Sequence, residues 1–285
     1  MKQGTTELMA RGGYTARGVV YMIVGGFAVL AAFGSGGATT GTRGALYSLL
    51  TQPFGYALLG AVALGLLCFS LWRLLQALLD ADRLGTDWRA AMRRTGFAVS
   101  AAVNAALAVS AVALLLGLSS GAGDGEGSAK DWTAYFLSAP FGRWLVGAVG
   151  LIITGTGVGV GVKAWKGTFK ERLALSGGAR RRIMPMGRLG FFARAVVLLI
   201  VGGFLALAAL HADPSEAKGL AGALRAIQAQ PFGWLLFSIT ALGLFAFGAF
   251  QFVVAYYRRI DAPEPEAIGR EIESRGRAAA QALRG

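Results

Sequence analysis

Arg17 and Arg194 hold the same place in two copies of one motif, three residues after an aromatic in R-x-G-aromatic-x-A-R. Each stands about one turn inside a long apolar run, and intramembrane charges usually mark a site. Guanidinium forks suit two tasks there. They can grip an anionic lipid headgroup, or close one end of a bundle by binding the carbonyls that end a neighbouring helix. The plainer alternative is snorkelling, with the long side chain reaching back to the headgroups. Asn104 and Gln251 are the most polar uncharged groups deep in their runs, and interhelical hydrogen bonds are expected of them. Arg73, next to Trp72, reads as an interfacial anchor.

The remaining chemistry is sparse. Lone Cys68 reads as a small buried hydrophobe, and lone His211, beside Asp213, as an interfacial histidine. One of each excludes an internal disulfide and a Cys/His metal cluster within the chain. A single histidine at a run's end builds no Ser-His-Asp or Cys-His arrangement. The apolar runs contain no acids, which removes the proton-relay carboxylate of a coupled transporter. "TGTGVGVGV" (154–162) suggests a phosphate loop, but no strand precedes it and no Gly-Lys-Ser/Thr follows. In a helix Gly155 and Gly159 share one face, and Gly157 and Gly161 a nearly opposite one. These are packing glycines, and they predict a fourth helix buried between neighbours. No catalytic, cofactor or metal-binding residue is expected, and the chain reads as non-enzymatic.

Six apolar runs carry these residues, roughly 14–34, 54–75, 96–118, 141–162, 190–210 and 232–257. With 55% hydrophobic and 15% charged residues, each run approaches the ~20 residues that a transmembrane helix needs. The fold class is an all-α integral membrane protein. A cleavable leader would explain the first run, but its pattern recurs far from the N-terminus, so it reads as a retained helix.

The recurrence is extensive. "RGGYTARGVVYMIVGGF" (11–27) matches "RLGFFARAVVLLIVGGF" (188–204) at 11 of 17 positions. The middle copy (94–110) keeps Arg94, Gly96 and Phe97 but has Ser100 where the others have Arg17 and Arg194. Each copy leads through a connection to "PFG" and a second run, so the chain is three two-helix units in tandem. The repeats span 1–85, 86–178 and 179–260, with a polar tail over 261–285. Short interfacial helices are expected just before each "PFG". Pro53 and Gly55, Pro140 and Gly142, and Pro231 and Gly233 then form elbows between lying on the membrane and crossing it. Trp72, Trp132, Trp144, Trp165 and Trp234 fall near helix ends, as an aromatic belt requires.

The net charge of +13 is one-sided. The three "PFG"-bearing connections hold Arg43, Lys130, Arg143, Lys218 and Arg225 against five acids. The other 23 of 28 Lys/Arg lie on the opposite side, with 10 of 15 acids. By the positive-inside bias both termini are cytoplasmic. That distribution argues against nucleic acid and for anionic lipid headgroups near "GARRR" (178–182).

"ARGVVY" (16–21), the threefold "PFG", "ALGLLCFSLWRL" (63–74) and "AYYRRI" (255–260) resemble a bacterial membrane-protein family of unknown function. Its members are built from three tandem two-transmembrane-helix repeats. The resemblance covers about residues 10–260 and implies six helices, with no catalytic residues to carry over. Two functions stay open here. One is a scaffold or accessory module for lipids or another membrane protein. The other is a passive pore or permease along a pseudo-threefold axis. The topology is testable: reporter fusions after residues 37, 85, 125, 178 and 215 should alternate between outside-active and inside-active, and an outside signal after 178 would overturn it.

Overall fold

The computed structural model describes residues 5–34, 41–78, 87–118, 126–168 and 177–257. The tail (261–285) lies outside them. Among the described residues six helices are long and apolar enough to span a membrane. They are α1 (Thr5–Ala32), α3 (Gly55–Leu78), α4 (Trp88–Leu115), α6 (Gly142–Lys166), α7 (Gly177–His211) and α9 (Gly233–Tyr257). Three short helices precede the second helix of each repeat: α2 (Thr42–Leu50), α5 (Glu126–Leu137) and α8 (Leu220–Gln228). "GARRR" belongs to the first turns of α7.

The elbows share one geometry. In each, the glycine N–H donates to the carbonyl three residues back: Gly55 to Gln52 at 2.8 Å, Gly142 to Ala139 at 2.9 Å, Gly233 to Gln230 at 2.7 Å. Proline occupies the second turn position, where its fixed φ is suitable. The phenylalanines after it have φ of 61°, 63° and 58°, a left-handed conformation that costs a non-glycine residue roughly 1–2 kcal/mol. That cost directs the rings outward, leaving Phe54, Phe141 and Phe232 85, 83 and 79% exposed, as interfacial anchors should be. The next residue must be glycine, because a Cβ on Gly55, Gly142 or Gly233 would overlap the carbonyl oxygen of Leu50, Phe136 or Gln228.

The six long helices form a ring. α3 packs along α4, α6 along α7 and α9 along α1, so the same junction joins successive repeats and closes the last onto the first. One register supplies a small residue at all three: Ser70 donates to Ala101 O at 2.8 Å, Gly157 abuts Leu198 and Leu199, and Gly248 abuts Met22. Within repeats, α1 packs on α3 and α7 on α9, but α4 barely touches α6. In the outer repeats Gly65 meets Ala16, Gly243 meets Ala193, and neither glycine could accept a methyl group. The middle repeat has Ile152 and Val99 at these positions. Their bulk leaves a loose seam in the ring.

This geometry corrects the reading of α6. Gly157 and Gly161 face α7, whereas Gly155 and Gly159 have nothing within 4 Å of a Cβ position, so α6 is packed on one face rather than buried between neighbours.

Replacing Gly55 with Ala should destabilise the protein by about 1–3 kcal/mol through overpacking, while Gly60→Ala, with nothing within 4 Å, should be neutral. Thermal unfolding in detergent compares them, and equal melting would show that the elbow does not require glycine.

Candidate functional site

Two sets of arginines occupy the side of the ring where α1 begins and α9 ends. The first opens each repeat. Arg11 Nη1 donates to the carbonyls of Ala255 and Tyr256, both at 2.9 Å. Arg94 reaches Ala77 O at 2.7 Å through Nε and Leu78 O at 2.9 Å through Nη2. Arg188 reaches Ala164 O at 3.2 Å and Trp165 O at 2.7 Å with the same two nitrogens. These carbonyls end α9, α3 and α6, the second helices of the adjoining repeats. They lack intrahelical partners and carry the negative end of the helix dipole, so a guanidinium is their natural cap. Glu7 orients Arg11 through a 2.7 Å ion pair.

The bundle-closing role expected of Arg17 and Arg194 therefore belongs to the arginine six residues earlier. Arg17 and Arg194 turn into the ring instead. Only 4% of Arg17 is exposed, which leaves no room for snorkelling. Its guanidinium carbon lies 5.4 Å from the ring centroid of Tyr21, 5.2 Å from that of Phe69 and 5.5 Å from that of Phe247. Arg194 lies 5.0 Å from the same Phe247 ring, and both guanidiniums stand beside the Tyr21 hydroxyl. Arg194 Nε is shielded from solvent without a hydrogen-bond partner among the described residues.

Arg73 joins them. Rather than anchoring at the interface, it lies 4.9 Å from Phe69 and 5.0 Å from Phe97, and its Nη1 donates to Gln76 Oε1 at 3.0 Å. Phe69 is thus shared by Arg17 and Arg73, and Phe247 by Arg17 and Arg194. Both rings stand equally far beyond their elbow glycines, a position held by Thr156 in the middle repeat. None of the chain's 15 acids lies in a spanning segment, and among the described residues no carboxylate pairs with Arg17 or Arg194.

Several other expectations need correction. Among the described residues Asn104 makes no bond across helices: its Nδ2 donates to Ser100 O in its own helix, at 2.6 Å. Gln251 is buried on α9, at the register of Arg73. Trp72 is 2% exposed and belongs to the core, whereas Trp132, Trp144, Trp165 and Trp234 are exposed as a belt requires. His211 pairs with Glu216 at 2.9 Å. Asp213 accepts from Ser215 N–H at 2.8 Å, which holds its carboxyl below the usual carboxylate range.

Alignment of the second helices on their elbow glycines carries the signal for Arg73, since it pairs this residue with the buried polar Gln251. The clamp arginines were visible as the one charged residue kept in all three copies.

A family model described as Domain of Unknown Function (DUF1206) matches residues 12–80, 95–167 and 189–258, one match per repeat. The chain belongs to this family. An uncharacterized protein of Bacillus subtilis (strain 168), YxxB, is 34% identical over 251 residues, which cover 87% of this chain and 90% of that protein. No solved structure matches the chain.

Arg94→Ala removes two charge-assisted hydrogen bonds, each worth about 1.5–3 kcal/mol, and should lower the melting temperature clearly. Its exposed neighbour Arg93 tolerates the same change. Equal thermal curves for the two variants would refute the clamp.

Proposed function

We propose that this is a non-enzymatic, non-conducting module of the bacterial plasma membrane, a scaffold or accessory unit for lipids or other membrane proteins, with both termini cytoplasmic. The observation that carries this reading is the filling of the ring on its elbow side. α2 and α8 insert Leu46 and Leu224, both fully buried, into a continuous apolar core with Val24, Leu59, Leu114 and Leu244. The polar residues buried at the start of α9 offer no path through it. Ser238 and Thr240 donate to their own helix, to Trp234 O at 2.7 Å and Leu236 O at 2.8 Å. A solute would have to displace this core, which disfavours the pore alternative.

The charge asymmetry supports the orientation. Exposed Arg93, Lys166 and Arg181 stand on the terminal side, where each basic residue near an anionic membrane surface contributes roughly 1 kcal/mol of attraction. Anionic headgroups are accordingly the expected surface partner, with no part for nucleic acid.

Reconstituted into vesicles, the protein should leave permeability to ions and small uncharged solutes at the level of protein-free controls. A flux that rises with protein density would reject the module in favour of the pore.

A further inference from the structure

We propose that Arg17 and Arg194, with Arg73 and the Tyr21 hydroxyl, form an internal site for a phosphate-type oxyanion. This goes beyond the non-conducting reading and does not depend on it.

The argument begins with charge. A buried guanidinium is ordinarily paired, because removing it from water costs more than ring contacts return. Here two first helices place their arginines against one shared ring, Phe247, and Arg17 shares a second ring, Phe69, with Arg73. Cations converging in this way repel one another. They require a counter-charge, and among the described residues no carboxylate supplies it to Arg17 or Arg194.

The hydrogen-bond inventory then narrows the ligand. Guanidiniums only donate. The Tyr21 hydroxyl stands beside both guanidiniums and can donate its own hydrogen. Arg194 Nε–H is buried without a partner among the described residues. A group that fits must therefore accept from several directions and carry negative charge. Water lacks the charge, and a halide lacks the geometry for paired N–H donors. Guanidiniums from α1, α3 and α7 match the spread oxygens of a phosphate better than the two oxygens of a carboxylate.

The loose seam between α4 and α6 provides the approach. There Ser100 and Thr156 stand at the registers of the arginine and the phenylalanine. The nearest atom to a Cβ on Gly96 is Thr156 Oγ1, at 4.0 Å, whereas its counterparts Gly13 and Gly190 are pressed against Phe69 and Phe247. The same phosphate chemistry can arrive on a lipid headgroup from the leaflet, or as inorganic phosphate or a soluble phosphate ester.

The experiment distinguishes these sources. Full-length protein purified in phosphate-free detergent buffer should retain phosphorus through gel filtration. Phosphorus extracted into chloroform identifies a lipid; phosphorus left in the aqueous phase identifies a soluble phosphate. The stripped protein is then titrated with inorganic phosphate, and separately placed in phosphatidylcholine nanodiscs with or without phosphatidylglycerol. One of the two probes should raise the melting temperature. Arg17→Lys, which keeps the charge but loses the fork, should weaken that effect about tenfold. Arg194→Gln should abolish it, while Arg225→Gln, exposed on the elbow-side helix α8, retains it. In the stripped state Arg194→Gln should melt higher than wild type, because a repelling charge has gone. Two results would overturn the site: no retained phosphorus with no response to either probe, or a stripped Arg194→Gln variant that melts below stripped wild type.

Discussion

The ring depends on one contact made three times, an arginine at the head of each repeat binding the last carbonyls of a neighbouring second helix. In an apolar solvent, unpaired carbonyls at helix ends are costly, and the positive charge of a guanidinium complements the dipole that exposes them. Arg94 joins the first repeat to the second, and Arg188 the second to the third. Arg11 makes the same contact back to α9, which converts a linear array into a closed one. It caps a junction where Gly248 already abuts Met22, so neither α1 nor α9 is a free edge. With it, the first-helix positions six residues further on must face inward, and the interior arginines follow from the clamps.

That dependence explains what was legible in the sequence. Elbows can be read from letters alone because their geometry is local. Proline fixes one dihedral, glycine avoids one clash, and the three copies confirm each other. The repeat boundaries and the six spans are likewise local properties of runs and motifs. Facing is not local. Arg17 and Arg194 stood out by repetition, but only the ring tells which arginine caps a helix and which points at its centre. Arg73 was harder, because proximity to Trp72 and a helix end suggested an interface. The burial of Trp72 shows that this helix end is covered by the ring rather than by headgroups. Asn104 differs for another reason: a helix offers its own carbonyl four residues back, and Asn104 Nδ2 takes Ser100 O at 2.6 Å.

The middle repeat departs from the others in a correlated way. It has Ser100 for the arginine, Thr156 for the phenylalanine, and Ile152 with Val99 for the glycine–alanine contact. Loss of the close contact loosens α4 from α6. Loss of the ring removes the surface on which a guanidinium would stack, so an arginine at position 100 would gain less from burial. These substitutions belong together physically. The seam and the missing cation are one feature, and the clamp at Arg94 keeps the repeat in the ring despite it.

Two halves of the interior consequently obey opposite rules. On the elbow side the interior is a packed apolar core, and the buried hydroxyls of Ser238 and Thr240 turn onto their own helix. On the terminal side cations meet aromatic rings. A cation–π contact contributes about 0.5–2 kcal/mol, against a desolvation cost of several kcal/mol for each buried ion. Sharing makes the balance worse, since Arg17 and Arg194 draw on one Phe247 ring while repelling each other. Rings alone do not sustain such a cluster against that cost. Its stability rests on charge from outside the described side chains, and this makes the arginine end, rather than the packed elbow end, the part of the molecule that answers to its surroundings.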